Sequence, residues 1–343
     1  MKLLASGITL AIIAHSLIGV SLVWDKILLR RPATKSLANY VFWLGSMSIF
    51  GLLLMPFGFH FPRMRIAALA VAAGVIHLAA IWFYYAALKN GEASQTLSVM
   101  GGFSPLATAL IGIGLLSQPL GRDALAAFAL MVAGGFVMFF SENLNWQRVL
   151  PHVLLASALF GLTNVLDKMV FNAVGFVSGY VLFTLGTFLG AVALLIRPVW
   201  RKQIFRQSAE ALPRSKFFYF VNRFVSGVGS FLIFFAISKA SPALVDAISG
   251  VRYVIIFLGA YLITRWKPVW LHEDFRRRVL IGKSCATALI VAGLVIVGLT
   301  GRQSGAAGAA EWTPARASQR AFGAAWQTRP LAVTLDVQLL NLP

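Results

Sequence analysis

Apolar residues in this chain neither alternate nor keep the 3.6-residue period of a helix that has one wet face. They run on in long blocks, separated by short stretches that gather Lys, Arg, Gly and Pro. A helix rising ~1.5 Å per residue needs roughly 20 apolar residues to cross a ~30 Å hydrocarbon layer. Ten blocks have about that length: 3–23, 37–58, 66–88, 92–117, 123–140, 149–171, 173–196, 217–238, 242–264 and 279–299. Continuous runs predict helices; barrel strands would alternate apolar with polar residues over ~10 positions. The first block is read as a span rather than a secretory leader, because it outruns a ~7–15-residue leader core and its pattern recurs at 149–171. The pattern therefore predicts an all-α, multi-pass membrane protein.

The blocks repeat. Gly19, Ser21, Asp25 and Lys26 align with Gly161, Thr163, Asp167 and Lys168 at an offset of 142 residues. Tyr85-Ala86 and Lys89 align with Phe235-Ala236 and Lys239 at 150, and Val132-Ala133-Gly134 with Val291-Ala292-Gly293 at 159. The growing offset predicts longer loops in the second half, around 197–216 and 265–278. Two sets of five spans follow, 1–148 and 149–299. An odd number of spans per set turns the second upside down relative to the first, so the expected architecture is ten transmembrane helices as two inverted five-helix repeats. Residues 300–343 break the pattern: Gly, Ala, Gln, Arg and Ser dominate, and they are expected to form a disordered tail.

Composition agrees. The 343 residues are 59% hydrophobic and 12% charged, whereas a soluble domain has ~45–50% apolar and ~25% charged residues. The formal charge of +19 would suggest nucleic acid in a soluble protein, but most of these cations sit in loops flanking spans, the ordinary membrane-topology signal, so no nucleic-acid partner is expected. More Lys and Arg follow odd-numbered spans than even-numbered ones, which puts both termini outside. Cys285 is the one cysteine, excluding an intrachain disulfide and a cysteine metal cluster. No phosphate-binding G-x-x-x-x-G-K-[ST] loop, H-E-x-x-H helix or G-x-S-x-G elbow occurs, so neither ATP-driven transport within the chain nor an enzyme is expected, and no cofactor.

Polar residues inside spans are the candidate chemistry, since a charge at mid-helix costs ~2.5–3.5 kcal/mol on insertion scales and normally faces the bundle interior or a wet cavity. Tyr219, Asn222, Arg223, Ser226, Gly227 and Ser230 form a polar stripe on the eighth span, suited to a water-filled pathway or to close helix packing. Arg252 lies too deep in the ninth span for easy snorkelling and needs an ion-pair partner or an anionic substrate. Asp246, six residues earlier, is ~120° around an ideal helix from it. His77 and Tyr84 share one side of the third span; His77 is a candidate proton relay or a hydrogen-bonded structural residue, and the same choice holds for His15. Asn164 is placed to line a cavity. Asp25-Lys26 and Asp167-Lys168 close the first helix of each repeat, either as gates that close alternately or as interfacial anchors.

These features resemble the drug/metabolite transporter superfamily, in particular its bacterial EamA-type members. The resemblance covers residues ~3–299 and rests on the span count, the small-residue and Lys pattern ending each half's first helix, Phe103-Ser104-Pro105-Leu106 in the fourth span and Ala292-Gly293 in the last. Ile255 stands where the repeat would place a counterpart of Pro105, and Ser117-Gln118-Pro119 replaces the Glu that often ends the fourth helix. The resemblance implies an inner-membrane exporter of a small metabolite or amphipathic compound working by alternating access, with cytoplasmic termini, against the charge count. Buried cations outnumber buried acids, which favours a substrate with an anionic group such as an amino or organic acid. The substrate gradient or protons would supply the energy. The competing expectation is a protein that flips or modifies a lipid-linked intermediate.

Overall fold

A computed structural model describes residues 2–29, 36–90, 93–116, 121–140, 146–210, 213–266 and, with breaks at 283 and 294, 281–296. The expected tail, 300–343, lies outside the described residues, as does 267–280 of the predicted loop after the ninth span. The described elements are helical: α1 (Lys2–Leu29), α2 (Leu37–Ser46), α3 (Met64–Asn90), α4 (Ala93–Leu116), α5 (Arg122–Phe140), α6 (Trp146–Val174), α7 (Phe176–Ala193), α8 (Pro198–Glu210), α9 (Pro213–Lys239), α10 (Pro242–Ala247) and α11 (Gly250–Trp266), followed by α12 (Ser284–Gly293). Among the described residues, seven segments are long and apolar enough to span a bilayer: Gly7–Asp25, Leu37–Phe57, Met64–Lys89, Val149–Val174, Phe176–Ile196, Lys216–Lys239 and Pro242–Ile263. Met100–Leu116, Leu125–Val137 and Ser284–Gly293 are shorter apolar helices, falling where the fourth, fifth and tenth blocks of the sequence lie. The protein is an all-α, multi-pass membrane protein.

Local chemistry sets the helix starts. Ser36 caps α2 by accepting the Asn39 amide, and Pro198, Pro213 and Pro242 open α8, α9 and α10, where their missing N–H costs nothing. Gly175, at φ +78°, is the single residue between α6 and α7. The sequence placed a loop over 197–216; most of it is α8, whose Arg201, Lys202 and Arg206 are charged side chains on a helix outside the spans. Trp200 of α8 meets Trp82 with ring centroids 4.9 Å apart and takes the Arg197 guanidinium over its face, an aromatic and cationic pairing typical of the interface.

Three of the described spans are not continuous α-helices, the seventh only in its last turn, Leu194–Ile196. The second changes at Met47 into eleven residues of 3₁₀ helix, Met47–Phe57, stopped by Pro56 and by Gly58 in the left-handed conformation. The ninth breaks between α10 and α11, where Ser249 N–H bonds to Asp246 O, Val251 N–H to Ile248 O and Arg252 N–H to Ser249 O. These i→i+3 bonds wind the chain at three residues per turn, so positions six apart eclipse. The ~120° separation expected for Asp246 and Arg252 held only for an unbroken α-helix. The break brings both to the same cavity.

α1 packs along α9 and beside α11, while α6 packs along α3 and beside α4. Small residues permit the closest approaches, as they must where lipid gives helices no hydrophobic reason to associate. Gly74 of α3 lies against the backbone of Phe183 and Thr187 on α7, and Gly186 of α7 lies against the backbone of Val71 on α3. Gly134 of α5 faces Ile290 and the Ala286 carbonyl of α12; Gly293 of α12 faces Met131 and the Ala127 carbonyl of α5. Replacing Gly186 with Val is expected to part α3 from α7 at a cost of at least ~1–3 kcal/mol and to lower the melting temperature in detergent. Gly114→Ala, at a site with open space around it, is expected to leave that temperature unchanged or slightly higher, and thermal unfolding of the two variants checks the pair.

Candidate functional site

Asp25, near the end of α1, is fully buried and is the acceptor at the centre of a polar cluster. Tyr40 of α2 and Tyr85 of α3 each donate a hydroxyl at 2.6 Å, to Oδ1 and Oδ2 respectively. Asn222 and Arg223 of α9 both reach Oδ1, the latter as a buried ion pair. Arg223 Nη1 also donates to the Tyr85 hydroxyl at 3.1 Å, and its guanidinium lies over the Tyr40 and Tyr219 rings at 5.4 and 5.6 Å. Asn222 donates to Ser21 O at 3.2 Å, and Tyr219 to Tyr40 O at 2.9 Å. Four spans are thus tied to one carboxylate. Neither member of a buried pair can be lost cheaply, because the other is left as an uncompensated charge in a low-dielectric interior.

Beside this cluster is a cavity of about 500 Å³. Arg223 forms part of its wall, while Asp25, Asn222 and Tyr219 are set back from it. One region is polar: His15, Ser104, Asn164, Asp246 and Arg252. Asp246 accepts from Ser104 at 2.9 Å and Thr108 at 2.6 Å, and from Asn164. Arg252 donates Nε–H to His15 Nδ1 at 2.7 Å, and His15 Nε2 lies 2.9 Å from Val245 O. That geometry requires the neutral tautomer with its proton on Nε2. The rest of the wall is aromatic. His77 sits edge-on among Phe160, Phe183 and Phe234, at centroid distances of 5.4, 5.1 and 5.5 Å, and its Nδ1 has no hydrogen-bond partner among the described residues. Tyr84, Tyr85 and Tyr180 complete that side. Ser226, Gly227 and Ser230 of the α9 stripe also border the cavity.

Of the residues singled out in the sequence, His77, Tyr84, Asn164, Arg223, Asp246 and Arg252 come together around this one space, and Asn222 supports it from behind. Of the four residues at the ends of the first helices, the three whose side chains are described, Asp25, Asp167 and Lys168, do not converge on it. Asp25 anchors the cluster above. Lys168 donates to the Ile237 and Ser238 carbonyls at 3.0 and 3.1 Å, capping the end of α9. Asp167 is buried with neither carboxylate oxygen hydrogen-bonded among the described residues. The side chain of Lys26 lies outside the described residues. Sequence reasoning passed over Tyr40 and the phenylalanines of the wall, among them Phe160, Phe183, Phe231 and Phe234, since an aromatic at helical spacing reads as ordinary core. Tyr85 and Ser104 did carry a signal, having stood in the repeat and in the Phe103–Leu106 stretch.

Residues 5–140 match the model of the EamA-like transporter family. Solved structures match as well; one crystal structure superposes with a TM-score of 0.59 at 15% identity, over 88% of this chain and 98% of its own, a likeness of fold. None of the curated proteins compared with the chain matches it.

Arg223→Gln is expected to cost about 3–5 kcal/mol by stranding Asp25. The double variant Asp25→Asn/Arg223→Gln should recover much of that loss. Unfolding measured for both singles and the double, taken as a mutant cycle, checks it: strictly additive effects would mean that the pair is not coupled.

Proposed function

We propose that the protein is a secondary transporter of the bacterial inner membrane that moves a small metabolite or amphipathic compound with an anionic group, such as an amino or organic acid, by alternating access. The observation that carries this reading is the cavity between the spans, bounded by a broken ninth helix and walled by both guanidiniums and rings. Irregular backbone at membrane depth is tolerated where it lines a wet cavity, and transporter sites are commonly built from interrupted helices near the midplane. Arg223 is paired with Asp25 behind the wall, so Arg252 is the cation that would meet an anionic group, while the phenylalanines would cover an apolar portion of the ligand.

Two inverted five-helix repeats, 1–148 and 149–299, form the moving parts in this proposal. Matched contacts support it. Gly134 with Ala286 and Ile290 is mirrored by Gly293 with Ala127 and Met131, each pair separated by the same 159-residue offset, as a two-fold relation between repeats demands. The Asp25–Arg223 pair and the Lys168 grip on α9 carbonyls each join the first helix of a repeat to α9. Those joints, with Lys26 and Asp167 beside them, would be the gates that exchange as the halves rock.

A second reading rests on a specific feature. The cavity wall includes Phe50, Leu53, Phe224 and Val228, all of which are exposed on the outside of the bundle. The 3₁₀ half of the second span packs on α7 and α2 rather than closely on α9. A ligand could therefore enter sideways from the bilayer, as a lipid-handling protein would require.

A proteoliposome screen of labelled amino acids, organic acids and nucleosides, with and without a pH gradient, tests the first reading. Parallel flipping of a fluorescent phospholipid tests the second. Arg252→Gln is expected to weaken uptake of the anionic substrate by roughly tenfold to a hundredfold, the worth of one charge-assisted hydrogen bond, with normal insertion and yield. Undiminished uptake by that variant removes Arg252 from the site.

A further inference from the structure

The two aspartates related by the 142-residue repeat have opposite surroundings. Asp25 has a guanidinium, an amide and two phenols directed at it. Asp167 is just as inaccessible, at 0% exposure, yet Oδ1 and Oδ2 both lack hydrogen-bond partners among the described residues. The repeat explains the difference. At the 150-residue offset that aligns α3 with α9, Tyr85 corresponds to Phe235 and Arg223 to Ala73. A bare ring replaces the phenol, and a methyl group replaces the guanidinium.

The helices packed against α6 offer no substitute. α3 meets it near this level through Ala67 and Ala70 around Val170, and has no titratable side chain between Arg65 and His77; His77 is enclosed by phenylalanines. α4 has no titratable side chain along its length. α7 supplies Tyr180 alone, and it makes no hydrogen bond to either Asp167 oxygen. On α9, Arg223 is committed to Asp25, Tyr219 to Tyr40 O, and Lys239 lies over the Phe235 ring. Asp246 of α10 is held by Ser104 and Thr108. Lys168, adjacent in sequence, is turned to the α9 carbonyls.

An ionised carboxylate without partner or water is not tolerated in such a place; the group takes a proton instead. Resting on the transporter reading, we propose that Asp167 is a proton-binding site, protonated in this conformation and ionised when the alternate one admits water to it. The step is a simple association, –COO⁻ + H⁺ to –COOH, and one proton moves per cycle. Asp25, locked to a permanent cation, cannot serve in this way, so the duplication has kept one aspartate as a joint and left the other as a proton carrier.

Two measurements test this on the full chain. The first is the infrared difference spectrum of wild type and Asp167→Asn in lipid nanodiscs at neutral pH. A protonated carboxyl C=O band, shifting in D₂O, should be present in wild type and missing from the variant; identical spectra overturn the proposal. The second uses proteoliposomes and an equimolar mixture of labelled amino acids. One proton per cycle gives about tenfold accumulation per pH unit. Asp167→Asn should lose that accumulation while retaining counterflow, and Asp167→Glu should restore part of it. Undiminished accumulation in Asp167→Asn overturns the proposal, and so does loss of counterflow in both variants, which would make the residue structural. Should wild type move none of the mixture, the amino-acid reading fails, and the infrared measurement still decides the proton site.

Discussion

A charge buried among apolar helices has to be answered by another, and the structure is organised around the place where this happens. Asp25 and Arg223 come from the first helix and from α9, and each is unaffordable alone. Their union recruits Tyr40, Tyr85 and Asn222, so that α1, α2, α3 and α9 converge on two carboxylate oxygens. Lipid supplies no hydrophobic force to hold helices together, so polar ties and close glycine contacts fix their arrangement. The cavity exists beside the cluster because these spans are pinned at that point and not packed solidly along their whole length.

The polar wall has its own logic. Asp246 and Arg252 are held by separate partners, the first by hydroxyls of α4 and the second by His15 of α1. Each is therefore oriented before any ligand arrives, which lowers the entropic cost of binding. His15 serves as an acceptor only while neutral, so it orients the guanidinium without adding a further cation to the chamber. The aromatic part is rigid for a different reason: ring edges meeting ring faces leave few alternative rotamers.

How much of this was legible in the sequence depends on the range of the interaction concerned. Seven of the spans were visible because block length is a local property, and the likeness of Asp25-Lys26 to Asp167-Lys168 because it is written in the residues around them. Arg223 and Arg252 stood out because charge is rare in apolar helices. The pairings did not, although Asp25 and His15 were themselves singled out, since Asp25 and Arg223 are 198 residues apart, and His15 and Arg252 are 237 apart. Nor did the helix break, for Ile248-Ser249-Gly250 carries no proline to announce it; the assumption of an ideal α-helix placed Asp246 and Arg252 on different faces. The helix α8 was taken for loop because its basic residues outweighed its periodicity.

The winding of the second span has a consequence for reach. Eleven residues of 3₁₀ helix, at ~2.0 Å each, extend roughly 5 Å farther than the same residues at the ~1.5 Å rise of an α-helix. Rewinding Met47–Phe57 would pull Gly58 inward by about that distance and rotate Phe50 and Leu53 away from their present bearings. The segment is a reserve of length in the wall of the cavity, and the left-handed glycine at its end marks where the slack would be taken up.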